Sequence, residues 1–145
     1  MVTIKIFLIL FLVGAVFTDL YKDKIYNAWV VPGMITGLTV ALMQSTGRFL
    51  EALLLVGASF AVLIPVYLIR GIAAGDVKLL ATTASFLSMQ ELEACILFSF
   101  LIAGAISLGI VIFTRNKKKT IHFAVPVLCS TVFVLGSSLP LQIVF

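Results

Sequence analysis

Apolar residues run along this chain in long blocks, and short polar segments separate them. Residues 2–18 form the first block, broken only by Lys5, and residues 19–27 the first polar segment. The second block covers 28–43, with Pro32 near its start, where a missing N–H is tolerated. A turn at 44–48 leads to a third block, 50–69, long enough to cross a hydrocarbon core. The segment 71–76 interrupts the apolar run, and 77–89 forms a shorter block carrying Thr82, Thr83, Ser85 and Ser88. That polarity predicts a helix facing other helices or a wet cavity, not lipid. Glu91 and Glu93 mark a turn before a fifth block, 94–114; the run Arg115-Asn116-Lys117-Lys118-Lys119 precedes a sixth, about 121–143. The pattern predicts an all-α integral membrane protein, a six-transmembrane-helix bundle forming a single domain over 1–145.

Composition strengthens that reading. The chain is 62% hydrophobic and only 11% charged, against roughly 25% charged for a soluble domain. It has too little polar surface to cover a water-facing globule. The net charge of +4 therefore reports topology, not nucleic-acid binding. With the N-terminus and C-terminus outside, Lys22, Lys24, Arg70, Lys78, Arg115, Lys117, Lys118 and Lys119 fall on the cytoplasmic side; only Lys5 and Arg48 fall outside. A signal-peptide reading of the first block puts Lys22 and Lys24 on the wrong side, so the expectation is a multi-pass protein of the plasma (inner) membrane bilayer. Cys95 and Cys129 stand alone in apolar blocks, which predicts small buried core residues.

An acid at membrane depth costs roughly 2.5–3.5 kcal/mol on insertion scales. Asp76, within Gly71-Ile72-Ala73-Ala74-Gly75-Asp76-Val77-Lys78-Leu79, therefore needs a reason to be there. The topology puts Asp19, at the end of the first span, at the same cytoplasmic boundary. Two neighbouring carboxylates do not both ionise easily, so one keeps a proton. One then takes a proton from water while the other donates, which needs no metal and no cofactor.

Each piece also has a plainer reading. Asp76 fits a helix N-cap, Asp19 a solvated acid beside Lys22 or Lys24, and Asn27 a cap before an apolar run. Lys78, two positions from Asp76, is expected on another helix face, snorkelling to the surface. Gly71 and Gly75 either relax a helix start or let another backbone approach the acid. His122, the single histidine, opens the sixth span with no partner evident in sequence and is expected to be non-catalytic; the chain offers too few ligands for zinc.

Asp19-x5-Ile25-x-Asn27 resembles the first motif of type IV prepilin peptidases, and Ala73-x-Gly75-Asp76-x-Lys78-Leu79 resembles their GxGD-x-KL motif. The resemblance covers essentially the whole chain and matches the small form without the methyltransferase-associated cysteine-rich domain, related to archaeal preflagellin peptidases. It implies an aspartic endopeptidase that removes the basic leader from prepilin or pseudopilin precursors (Flp/tight-adherence or competence) at the cytoplasmic membrane face. Asp19 and Asp76 would be catalytic. Gly75, Ala73, Lys78 and Asn27 would support the site or the substrate's approach. Asp23 is expected to attract the leader, and Lys24 or Lys78 an acidic residue early in the mature precursor.

The chain departs from the family pattern in places. Ala73 stands for the first glycine, Tyr26 for the proline usual before the asparagine, and His122-Phe123-Ala124-Val125-Pro126 only loosely resembles the late PF-x-P-like signature. The loop between the first two spans lacks cysteine, so nothing supports N-methylation. The main alternative is a small transporter or channel subunit with a two-carboxylate proton relay. It loses ground because one acid ends its span while the other begins its own, so the two do not map onto equivalent repeat positions. A presenilin-like protease is disfavoured because the acids sit at the boundary, not mid-span.

Overall fold

Once the backbone N–H and C=O groups leave water they must pair within the chain, and in apolar blocks of this length the helix satisfies that demand. The structure, a computed structural model, describes residues 2–114 and 122–144. These contain six helices: α1 (Val2–Lys22), α2 (Asn27–Gln44), α3 (Thr46–Leu68), α4 (Ala74–Ala84), α5 (Met89–Thr114) and α6 (Ala124–Val144). The basic run 115–119 and position 121 of the sixth block lie outside the described residues.

The helix ends differ from the blocks for local reasons. α1 continues past Asp19 to Lys22, so Asp19 lies inside the helix and does not terminate it. Asp23 then takes φ 52°, and its N–H donates to the Asp19 carbonyl at 2.9 Å. Ser45 caps α3 by accepting the Arg48 N–H at 3.0 Å. α3 closes with Arg70 at φ 61° while the Gly71 N–H bonds back to the Val66 carbonyl at 2.9 Å. That is a helix-terminating turn whose left-handed position is usually glycine. Here glycine follows instead, because a Cβ on Gly71 would lie against Val66.

Two expectations, one about a turn and one about a helix start, are corrected. Glu91 and Glu93 do not make a turn: α5 begins at Met89 and contains both. Glu91 accepts the Ser88 N–H at 3.0 Å and pairs with Lys5 at 2.8 Å, so an acid near a helix start is satisfied. Pro32 stands inside α2 beyond its first turn.

α4 is the centre of the packing. It lies against α2 and α3, with lesser contact to α5 and α6, while α1 and α5 pack on α6. Leu79, Leu80, Thr82 and Thr83 are fully buried and Ser85 nearly so, which bears out the expectation of a helix facing other helices. The hydroxyls of Thr82 and Thr83 donate to carbonyls one turn back, at 2.9 Å each, so burial leaves them satisfied. Arg48 reaches from α3 and donates to the Leu87 carbonyl at 2.7 Å, placing a cation at the C-terminal end of α4. Cys95 is buried as expected, but Cys129 is exposed on an apolar helix face, correcting the core assignment for that residue.

Among the described residues, three helices are long and apolar enough to cross a membrane: Ile4–Lys22, Thr46–Leu68 and Met89–Phe113. Leu10, Leu54, Leu108 and Ile112 stand exposed on them. In a membrane protein such faces meet lipid.

Candidate active site

The turns after α1 and α3 and the starts of α2, α4 and α6 gather at one end of the bundle. Lys5, Arg48, Glu51 and Glu91 line a separate cavity of about 270 Å³. The positive-inside count assigned Lys5 and Arg48 to the side opposite Asp19 and Asp76, and in the structure they cluster with Glu91 and Glu51.

A cavity of about 400 Å³ is lined by Asp19, Asp23, Lys24, Asn27, Ala73, Gly75, Asp76 and Lys78, together with Ile25, Tyr26 and Ala74. The eight residues that the family resemblance singled out for the site thus line one space, whereas Gly71 lines another. Asp19 and Asp76 are each only 8% exposed.

Asp76 is not the N-cap of α4. Ala73 holds that position, and Asp76 is the third helical residue. Its Oδ2 accepts the Ala73 N–H at 3.1 Å. This is one half of a capping box; the other half is missing because Ala73 has no side-chain oxygen. Asp76 lies outside the helices long enough to cross a membrane. Burial pushes its carboxyl up to about 6; the Ala73 N–H opposes that shift and the Asp19 charge adds to it.

Ala73 has φ −82° and ψ 157°, an extended conformation open to any residue. Its methyl therefore carries no backbone strain at the position where the motif has glycine. Gly75 has a clearer reason to be glycine: a Cβ there would stand 3.3 Å from Cβ of Ile25. What approaches Gly75 is thus the Ile25 side chain, from the chain's own segment between α1 and α2.

Lys78 corrects an expectation. Its side chain does not leave the site; Nζ donates to Asn27 Oδ1 at 2.9 Å, joining α4 to α2 at the cavity wall. Asn27 correspondingly caps nothing: the N-cap of α2 is Tyr26, without a side-chain bond.

His122, for which the sequence shows no partner, faces two acids in the structure. Its Nδ1 lies 3.8 Å from Asp19 Oδ2 and 3.7 Å from Asp23 Oδ1. The signal available was depth, since the topology already put the start of the sixth span at the end that holds Asp19.

Asp76 and Ala73 also line a second, larger cavity of about 630 Å³. Its walls are Tyr67 and the turn after α3, Phe123 before α6, and Phe100, Ala103, Gly104 and Ser107 along one face of α5. Asp76 therefore stands on a wall common to two spaces, one rich in charged groups and one more apolar, to which the turn after α3 contributes Arg70.

Compared with known proteins, residues 6–112 match the model of the type IV leader peptidase family. No curated protein and no solved structure matches the chain.

Proposed function

The chain belongs to the type IV leader peptidase family, and from that premise we propose that it is a membrane aspartic endopeptidase acting on prepilin-like precursors. It removes the basic leader at the cytoplasmic face of the plasma membrane, with Asp19 and Asp76 as the acid–base pair. The observation that carries this reading is the shared cavity: two buried carboxylates from helices distant in sequence face one space.

The chemistry follows from one proton shared by two carboxyls. The ionised member takes a proton from water as the water oxygen bonds to the scissile carbonyl carbon. The protonated member donates to the carbonyl oxygen. Collapse of the tetrahedral species breaks the C–N bond, and the amine leaves with the proton taken from water. The charged cavity suits the leader, and the larger, more apolar cavity that Asp76 also lines suits the start of the hydrophobic segment that follows the cut. Six spans with both termini outside put this site on the cytoplasmic side, in keeping with the positive-inside count.

Co-expression with a prepilin, followed by mass spectrometry of the product, tests the reading. Asp19→Asn and Asp76→Asn are each expected to lower cleavage by at least about 100-fold while the protein still inserts in the membrane. Cleavage retained in either variant would sink the pair.

A further inference from the structure

His122 comes from the segment that opens α6, yet its ring faces the end of α1. Its Nδ1 is within ion-pair distance of Asp19 Oδ2 and Asp23 Oδ1, at 3.8 and 3.7 Å. Asp19 Oδ2 and His122 Nδ1 are both buried, and neither has a hydrogen-bond partner among the described residues. Two orphaned polar atoms facing each other are expensive to bury as neutral groups. As opposite charges they offset one another's desolvation.

We propose that His122 is the positioning residue of Asp19: as an imidazolium shared by Asp19 and Asp23, it holds Asp19 ionised and turned toward the cavity. Resting on the peptidase reading, this fixes the roles within the pair. Asp19 is the base that takes the proton from water, and Asp76 carries the proton given to the carbonyl oxygen. The imidazolium keeps its own proton throughout. Among the described residues no cation stands within ion-pair distance of Asp76, although Arg70 lines its larger cavity; its bonded donor is the neutral Ala73 N–H.

Among the described residues, the charged groups around the ring are few. Asp19 faces it from α1 and Asp23 from the turn that follows. Asp76, Lys24 and Lys78 line the same cavity as those two acids, and the Lys78 ammonium is engaged by Asn27. α6 contains no charged residue, and the only charges in α5, Glu91 and Glu93, lie at the opposite end of the bundle.

Because His122 is the only histidine, its imidazole gives a single resonance in labelled protein. At about pH 7, Asp19→Asn and Asp23→Asn should each displace that resonance toward the neutral-imidazole position, and Asp76→Asn should displace it less. A resonance unmoved by Asp19→Asn overturns the contact. In precursor cleavage, His122→Gln should lower kcat about 10-fold with KM within about 2-fold of wild type. His122→Arg should restore most of the rate and carry it to higher pH than wild type, because the guanidinium does not deprotonate. Wild-type kcat and pH profile in His122→Gln, or equal loss in both variants with an unchanged profile, overturns the role. Should His122→Gln fail to fold, Asp23→Asn at its exposed position should still lower kcat a few-fold, and an unaltered kcat there overturns the shared cation. A wild type that cleaves no precursor overturns the peptidase reading and the roles with it, while the resonance experiment still decides the contact.

Discussion

Asp76 occupies two positions at once: the third residue of a short helix and the wall between two cavities. Burial there favours the neutral carboxyl, with a value of about 6 against 3.8 for the free group. Since the folded value is raised, the stability this group contributes is fully present below 3.8 and is lost as pH rises through about 6. Asp76→Asn, which stays neutral, is therefore expected to be more stable than wild type at pH 7 by about 1–3 kcal/mol. The gain should vanish near pH 4, as thermal unfolding in detergent would reveal. An equal gain at both pH values would mean that ionisation is not its cause. Both acids were legible from sequence, because a charge in an apolar chain is costly wherever it sits. His122 was not. Its partners come from the far end of the chain, and an imidazole at a helix start carries no comparable penalty to flag it.

At the scale of elements, α4 is eleven residues long and cannot hold itself in place by length. Its start is held by the Asp76 bond to Ala73 and its end by Arg48. Arg48→Ala removes a charged donor from buried carbonyls and should cost about 1.5–3 kcal/mol. An unfolding midpoint unchanged from wild type would show that water replaces the guanidinium freely. The turn after α3 makes the opposite case. Arg70 holds a left-handed φ of 61°, which costs a non-glycine residue roughly 1–2 kcal/mol. Arg70→Gly should relieve part of that and raise the midpoint by a few degrees; a lower midpoint would mean the Arg70 side chain contributes more than its backbone loses. The blocks located these helices well but misjudged their ends. Polar residues such as Asp19 and Glu91 look like turns in a linear reading, yet helices continue through them wherever a partner such as Lys5 satisfies the charge.

For the whole molecule, the larger cavity makes a separable prediction. Gly104 has open space where a Cβ would stand, and it lines the 630 Å³ cavity, the more apolar of the two that Asp76 borders. Gly104→Leu should slow cleavage of the full-length precursor about 10-fold or more by filling the room for its hydrophobic segment. A short peptide ending a few residues past the cut should be cleaved at the wild-type rate. Equal loss on both substrates would place that segment elsewhere. Sidedness has its own measurement: cysteines introduced at Lys24 and Glu93 should react with an impermeant maleimide from opposite sides of the membrane, the first only from the cytoplasmic side.

The sequence alone determined that this is a helical membrane protein, where most of its helices run, and that Asp19 and Asp76 share a depth. Those conclusions rest on transfer energies and chain length, which are properties of the linear order. Tertiary structure decided the rest: that Gly75 is small because Ile25 lies against it, that Lys78 turns back to Asn27, that Lys5 meets Glu91, and that His122 faces Asp19 and Asp23. Each of these is a contact between segments far apart in sequence, set by how the helices pack, and hydropathy carries no record of which faces meet.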